Sequence, residues 1–203
     1  MKKIAMYFHG GSGNHGCEAI VRSTCKLLSE NELYLYSFNK EQDLLYGIED
    51  LVTVLQDKRE IDEHSFEYYL YKTKYKLFKN DNLYYKMQHK HIYNKKNQFS
   101  YALSIGGDNY CYNGFPDKLA EYNNNFNKIG VKTILWGCSI EPNLFKNINI
   151  LNDLHKYSLI YARESITYQA LCENGFKDKS ILYPDPAFIL ESEKVVLPLN
   201  FGE

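Results

Sequence analysis

Arginine is scarce in this chain: of 24 basic residues in a sequence of 203, only Arg22, Arg59 and Arg163 are arginines. A planar, bidentate grip on a carboxylate or phosphate therefore has few sources. Charge of one sign is also missing. The formal net charge of -1 gives no global pull toward nucleic acid or an anionic membrane. No apolar run reaches the roughly 18 residues a membrane helix needs. The opening MKKIAMYFHGG stops at His9 and two glycines, short of the roughly 7–15 apolar residues of a signal-peptide core. It reads as a first strand, and the protein as cytoplasmic. Cysteines are few, odd in number and dispersed (Cys17, Cys25, Cys111, Cys138, Cys172), with no C-x-x-C. This argues against a disulfide framework or zinc knuckle. His89 and His91 stand too close in sequence to form half of a tetrahedral helix site, so no metal is expected.

What is present is 44% apolar residues, enough for a core, and an alternation of short apolar runs with helical patterns. Residues 3–8, 32–38, 51–55, 100–108, 131–137, 157–162 and the run KSILYP read as strands. Residues 17–29 place Ile20, Thr24, Leu27 and Leu28 on one helical face, with Glu18 and Arg22 paired at i,i+4 on the other. Phe115-Pro116-Asp117 opens a helix carrying Leu119, Tyr122, Phe126 and Ile129, closed by Gly130. Leu144, Ile148, Leu151 and Leu154 mark another, and RESITYQALCENG a last one ended by Gly175. Strand, glycine turn and helix in repetition predict an α/β fold with a doubly wound, Rossmann-like parallel sheet.

Residues 61–96 interrupt the pattern with nine aromatics among many lysines. They predict an inserted helical pair whose tyrosines pack against the sheet while lysines stay solvated. The alternative is a basic aromatic surface for a sugar polymer or nucleic acid.

GSGNHG, from Gly11 to Gly16, is a G-x-G-x-x-G between a strand and a helix. Such a loop offers backbone N–H groups and the helix dipole to an anion. A dinucleotide site would also need an acid at the end of the second strand, which here reads Ser37-Phe38-Asn39-Lys40. Asn14 and His15 are bulky where a pyrophosphate would approach, and G-K-[ST] does not occur. Neither the NAD nor the P-loop reading holds. Other strand ends carry Gly106-Gly107-Asp108-Asn109, Gly137-Cys138-Ser139, Arg163-Glu164-Ser165 and Asp185 between two prolines. In an open α/β sheet these ends share one edge, where ligands bind. Arg163, at a strand–helix junction, is placed for a carboxylate or phosphate.

In order, GSGNHGCEAIVRS, SIGGDNY, ILWGCSIEP, IYARESITYQALCENG and YPDPAFIL resemble the polysaccharide pyruvyl transferase family. The resemblance implies a GT-B-like architecture of two Rossmann-type domains. It also implies transfer of a pyruvyl group from phosphoenolpyruvate to a sugar of a cell-surface polysaccharide, forming a ketal. On that basis residues 1–190 are expected to form the N-terminal domain and 191–203 to begin a linker, with a second domain of the same protein outside this chain. Arg163, Glu164 and Ser165 would bind the donor. Gly11, Gly13, Asn14, Glu18, Gly106, Gly107, Asp108, Asn109 and Asp185 would line the cleft or hold the acceptor. The family's Arg-x-His element, taken to supply the general acid, does not occur in this chain. The acid is therefore expected in the other half, with His9 and His15 as secondary candidates, and this chain alone is expected to be inactive. No cofactor is implied beyond phosphoenolpyruvate as substrate. The partners are donor and glycan, not nucleic acid, with at most peripheral membrane contact. A lipid-linked acceptor would bring the protein to the inner face of a membrane. Two other readings stay open: a nucleotide-sugar-dependent GT-B glycosyltransferase, and a non-catalytic carbohydrate-binding domain.

Overall fold

Each short apolar run forms a strand, and seven strands lie parallel in one sheet in the order β3-β2-β1-β4-β5-β6-β7. The computed structural model describes residues 1–79, 81–112 and 114–191. The linker expected from 191 onward therefore lies, past Glu191, outside the described residues. The strands are β1 (Lys3–His9), β2 (Glu32–Ser37), β3 (Thr53–Gln56), β4 (Tyr101–Ser104), β5 (Lys132–Cys138), β6 (Leu159–Ala162) and β7 (Ser180–Leu182). The helices are α1 (His15–Leu27), α2 (Lys40–Leu45), α3 (Phe66–Phe78), α4 (Asn82–His89), α5 (Phe115–Lys128), α6 (Ile148–Leu154) and α7 (Ser165–Glu173). This is the expected α/β, Rossmann-like, doubly wound sheet, and its order reverses direction between β1 and β4.

Alternation along β1 divides the core in two. Ile4 and Met6 pack on one face with Ile20, Val21 and Cys25 of α1. Ala5 and Tyr7 pack on the other with Leu119, Tyr122 and Phe126 of α5. Tyr7 stacks on Tyr122 with ring centroids 5.4 Å apart. Burying a ring such as Phe126 contributes about 1.5–3 kcal/mol. Two expectations need correction. Leu27, on the same helical face as Ile20, is exposed and lines a concavity with Trp136, Tyr161 and Phe188 instead of the core. The pattern from Leu144 to Leu154 breaks at Asn147, whose side chain caps α6; a 3-10 turn, Pro142–Lys146, precedes it, and Ile148 faces solvent.

The insertion between β3 and β4 is a helical pair, but its two helices differ. His89 of α4 is buried, with Nε2 3.1 Å from Asp57 Oδ2 and Nδ1 2.7 Å from the Tyr85 carbonyl. Tyr122 donates to Asp57 at 2.7 and 2.8 Å. Burial of an unpaired carboxylate is costly, so these bonds fasten α4 to α5 and the sheet. Tyr85 and Tyr93 pack on the same core. On α3 the expected inward packing does not occur: among its described residues only Tyr68 is buried. The rest of the helix meets α4 rather than the sheet: the Tyr71 ring packs on Tyr84 with centroids 5.0 Å apart, and Phe66, Tyr69 and Leu77 stay exposed.

Candidate functional site

The glycine loop is shaped by its own side chains. Asn14 caps α1, its Oδ1 accepting from the N–H groups of Gly16 (2.9 Å) and Cys17 (3.4 Å). Asp43 Oδ1 accepts from the Ser12 amide at 2.9 Å and the Ser12 hydroxyl at 2.5 Å, and lies 2.8 Å from His9 Nε2. Gln42 accepts from the Gly13 amide at 3.2 Å. Gly11 has φ +111°, and a Cβ there would stand 2.6 Å from Gln42 Oε1. Only glycine tolerates both the conformation and the contact. These loop amides already have partners within the protein. The anion cradle expected of a glycine loop is therefore largely filled by Asp43, Gln42 and Asn14.

Burial alone would push the Asp43 carboxyl up; hydrogen bonds from His9 and Ser12 outweigh it and hold the group below the usual carboxylate range. His9 is the buried last residue of β1. His15 is exposed, with Nδ1 3.0 Å from Glu18 Oε2, and Glu18 also accepts from Arg22 Nε at 2.8 Å. His9, His15, Gly11, Gly13 and Glu18 do not line the cleft of the described residues. The first four face α2 or solvent, and Glu18 is held in an ion pair along α1.

The cleft itself lies where the sheet order reverses, at the carboxyl ends of β1 and β4, the expected place for a ligand in such a sheet. It encloses about 340 Å³. Of the residues singled out in the sequence, Asn14, Gly106, Gly107, Asp108, Asn109, Arg163 and Asp185 line it together. Glu164 and Ser165 do not. The Glu164 carboxylate caps α7 by accepting from the amides of Ile166 (2.6 Å) and Thr167 (2.9 Å), and Ser165 is exposed at the first turn.

Arg163 is the cleft's cation, and it is already engaged. Its Nε donates to Ser139 Oγ at 2.8 Å, Nη1 to Asp185 Oδ2 at 2.9 Å, and Nη2 to Asp108. Gly107 permits this approach, since a Cβ there would meet Nη1 at 2.4 Å. Asp185 is aimed by its neighbours: it caps the 3-10 turn Pro186–Ile189, and Pro186 packs on Gly137, which has φ +63°. Two carboxylates around one guanidinium leave the cluster net negative.

Residues the sequence did not single out complete the walls. Phe8, buried at the end of β1, has φ +65°, an uncommon state for a bulky residue and a sign of local strain at a site. Phe38, Tyr112 and Phe115 present rings to the same space. The Asn109 amide nitrogen is buried without a hydrogen-bond partner among the described residues. Cys17 also lines the cleft; burial pushes its thiol up, which leaves it protonated and a poor nucleophile. Phe38 carried a signal in its position directly after β2. Asp43 gave no such signal. A second concavity of about 460 Å³ lies between α4 and α5, with Glu67 and Leu70 of α3 also lining it, and takes in no residue expected at the site.

Comparison with known proteins agrees with the fold. A family model described as polysaccharide pyruvyl transferase matches residues 14–201. No curated protein matches the sequence. Two crystal structures of Anabaena HepE, one in complex with UDP-glucose and one with UDP and glucose, superpose with TM-scores of 0.55 and 0.54 at 8% and 12% identity. Each covers 91% of this chain and 44% of HepE. The chain therefore spans less than half the length of these structures. At such identities the likeness establishes the fold.

Proposed function

The chain belongs to the polysaccharide pyruvyl transferase family, and on that premise we propose that it is part of an enzyme moving a pyruvyl group from phosphoenolpyruvate onto two hydroxyls of a polysaccharide sugar. A proton adds to the methylene carbon, and one sugar oxygen bonds to C2. Phosphate then leaves C2 with its bridging oxygen, and a second sugar oxygen takes its place. Of the two hydroxyl protons, one balances the new methyl group and the other leaves with phosphate. The step needs a general acid; His9 is tied to Asp43 and His15 stands outside the cleft, so neither is assigned it.

The observation that carries the reading is the convergence of Asp108, Asp185, Arg163 and the unpartnered Asn109 amide on one aromatic-walled cleft. A net-negative cluster with free acceptor lone pairs suits a neutral polyol better than an anion. We assign the cleft to the sugar, with Asp108, Asp185 and Asn109 bonding hydroxyls and the rings of Tyr112 and Phe115 against its apolar face. Arg163 holds both carboxylates in place. It can reach the donor only by exchanging one of them for the donor's carboxylate or phosphate.

Calorimetry with phosphoenolpyruvate, UDP-glucose and a neutral pyranose tests the reading. Binding of the pyranose, weakened on the order of 10-fold or more by Arg163→Ala, is the expected result. Tight binding of UDP-glucose with none of phosphoenolpyruvate or pyranose would favour nucleotide-sugar chemistry instead. On its own the chain is not expected to release phosphate from phosphoenolpyruvate.

A further inference from the structure

The helix α3 packs on α4 through Tyr71 and Tyr84 and leaves an apolar stripe turned outward. Phe66, Tyr69, Leu70 and Leu77 are all exposed, Phe66 at 80% and Leu77 at 70%. They recur at i, i+3, i+4 and i+11, which draws them into one stripe along the helix. On that helical spacing, Lys74 flanks the stripe on one side and Lys76 on the other. Lys72 and Lys79 lie toward the opposite face, over the rings of Tyr68 and Tyr75. The first-turn acid, Glu67, is paired with Lys90 at 2.6 Å. A chain of net charge -1 thus concentrates positive charge beside a stripe of exposed rings and aliphatic side chains.

We propose that α3 is an interfacial helix that docks this protein on an anionic lipid surface. Thirteen residues make a helix about 20 Å long, too short to span a bilayer but sufficient to lie along one. In that pose the stripe enters the headgroup boundary and the flanking ammonium groups snorkel to lipid phosphates. Charge complementarity selects this occupant over a second copy of the chain, because pairing two stripes face to face would set one lysine rim against the other. A nucleic acid would meet the lysines but leave Phe66, Leu70 and Leu77 in water. The proposal does not depend on the assignment of the cleft.

Vesicle sedimentation with the whole chain tests it, using phosphatidylcholine alone and phosphatidylcholine mixed with phosphatidylglycerol. The expected result is retention on the anionic vesicles, falling with added salt, and none on the neutral ones. Lys74→Gln with Lys76→Gln should lower partitioning by roughly 30-fold. Phe66→Ser with Leu77→Ser should lower it by roughly 10-fold or more. Both pairs are exposed, so circular dichroism should be unchanged. Three results would overturn the proposal: no retention on anionic vesicles, retention indifferent to both variants, or a dimer in sedimentation velocity that the Phe66→Ser, Leu77→Ser variant dissolves.

Discussion

At the scale of single residues, Arg163 shows what spacing reveals and what it hides. Its position at the end of β6, just before α7, placed it at the ligand edge. Its two carboxylate partners lie 22 and 55 positions away in sequence, and no local pattern announces a pairing that distant. Gly107 makes the arrangement testable. An added methyl would meet a guanidinium that three bonds pin in place, so Gly107→Ala should cost about 1–3 kcal/mol in chemical denaturation and weaken ligand binding. Gly10→Ala, with open space at the same cleft, should leave stability nearly unchanged. Asp43 carries a pH signature. Its folded value lies below the ordinary one, so its stabilisation is complete above about pH 4 and is lost as pH falls through the folded value. Urea midpoints measured from neutral pH downward should fall less steeply on the acid side for Asp43→Asn than for the native chain, though from a lower start.

At the scale of elements, sequence periodicity located the strands and the helices well because each apolar run meets a core. In the insertion it anticipated the helical pair but not that most rings of α3 would stay off the sheet, for a physical reason. The helices α3 and α4 share a mixture of tyrosine and lysine, and composition cannot say which has a neighbour to pack on. The difference lies in His89, Asp57 and Tyr122, which meet only in three dimensions. Tyr122→Phe should therefore destabilise the fold by about 1–3 kcal/mol, by withdrawing the hydroxyl donor from Asp57 and leaving its Oδ2 to His89 alone. Phe66→Ser on α3 should stay within about 0.5 kcal/mol. Paired denaturation curves of the two variants would decide. Asn14 serves both scales: replacing it with alanine removes the cap of α1, at about 1 kcal/mol, and one polar wall of the cleft.

At the scale of the whole molecule, the repeated strand–helix alternation was enough to foretell the sheet, since right-handed crossovers leave few ways to arrange seven parallel strands. The cleft followed from the same topology: ligands gather where strand order reverses, and seven of the expected residues meet there. The loop amides did not follow, because capping by Asn14 and Asp43 depends on side-chain directions that spacing does not encode. Residue-resolved NMR of this chain, titrated with a neutral pyranose and with phosphoenolpyruvate, tests the assignment of that cleft most directly. The expected result is saturable shifts at Asn14, Gly107, Asp108, Asn109 and Arg163. Shifts confined to the α4–α5 concavity, with these residues unmoved, would contradict it.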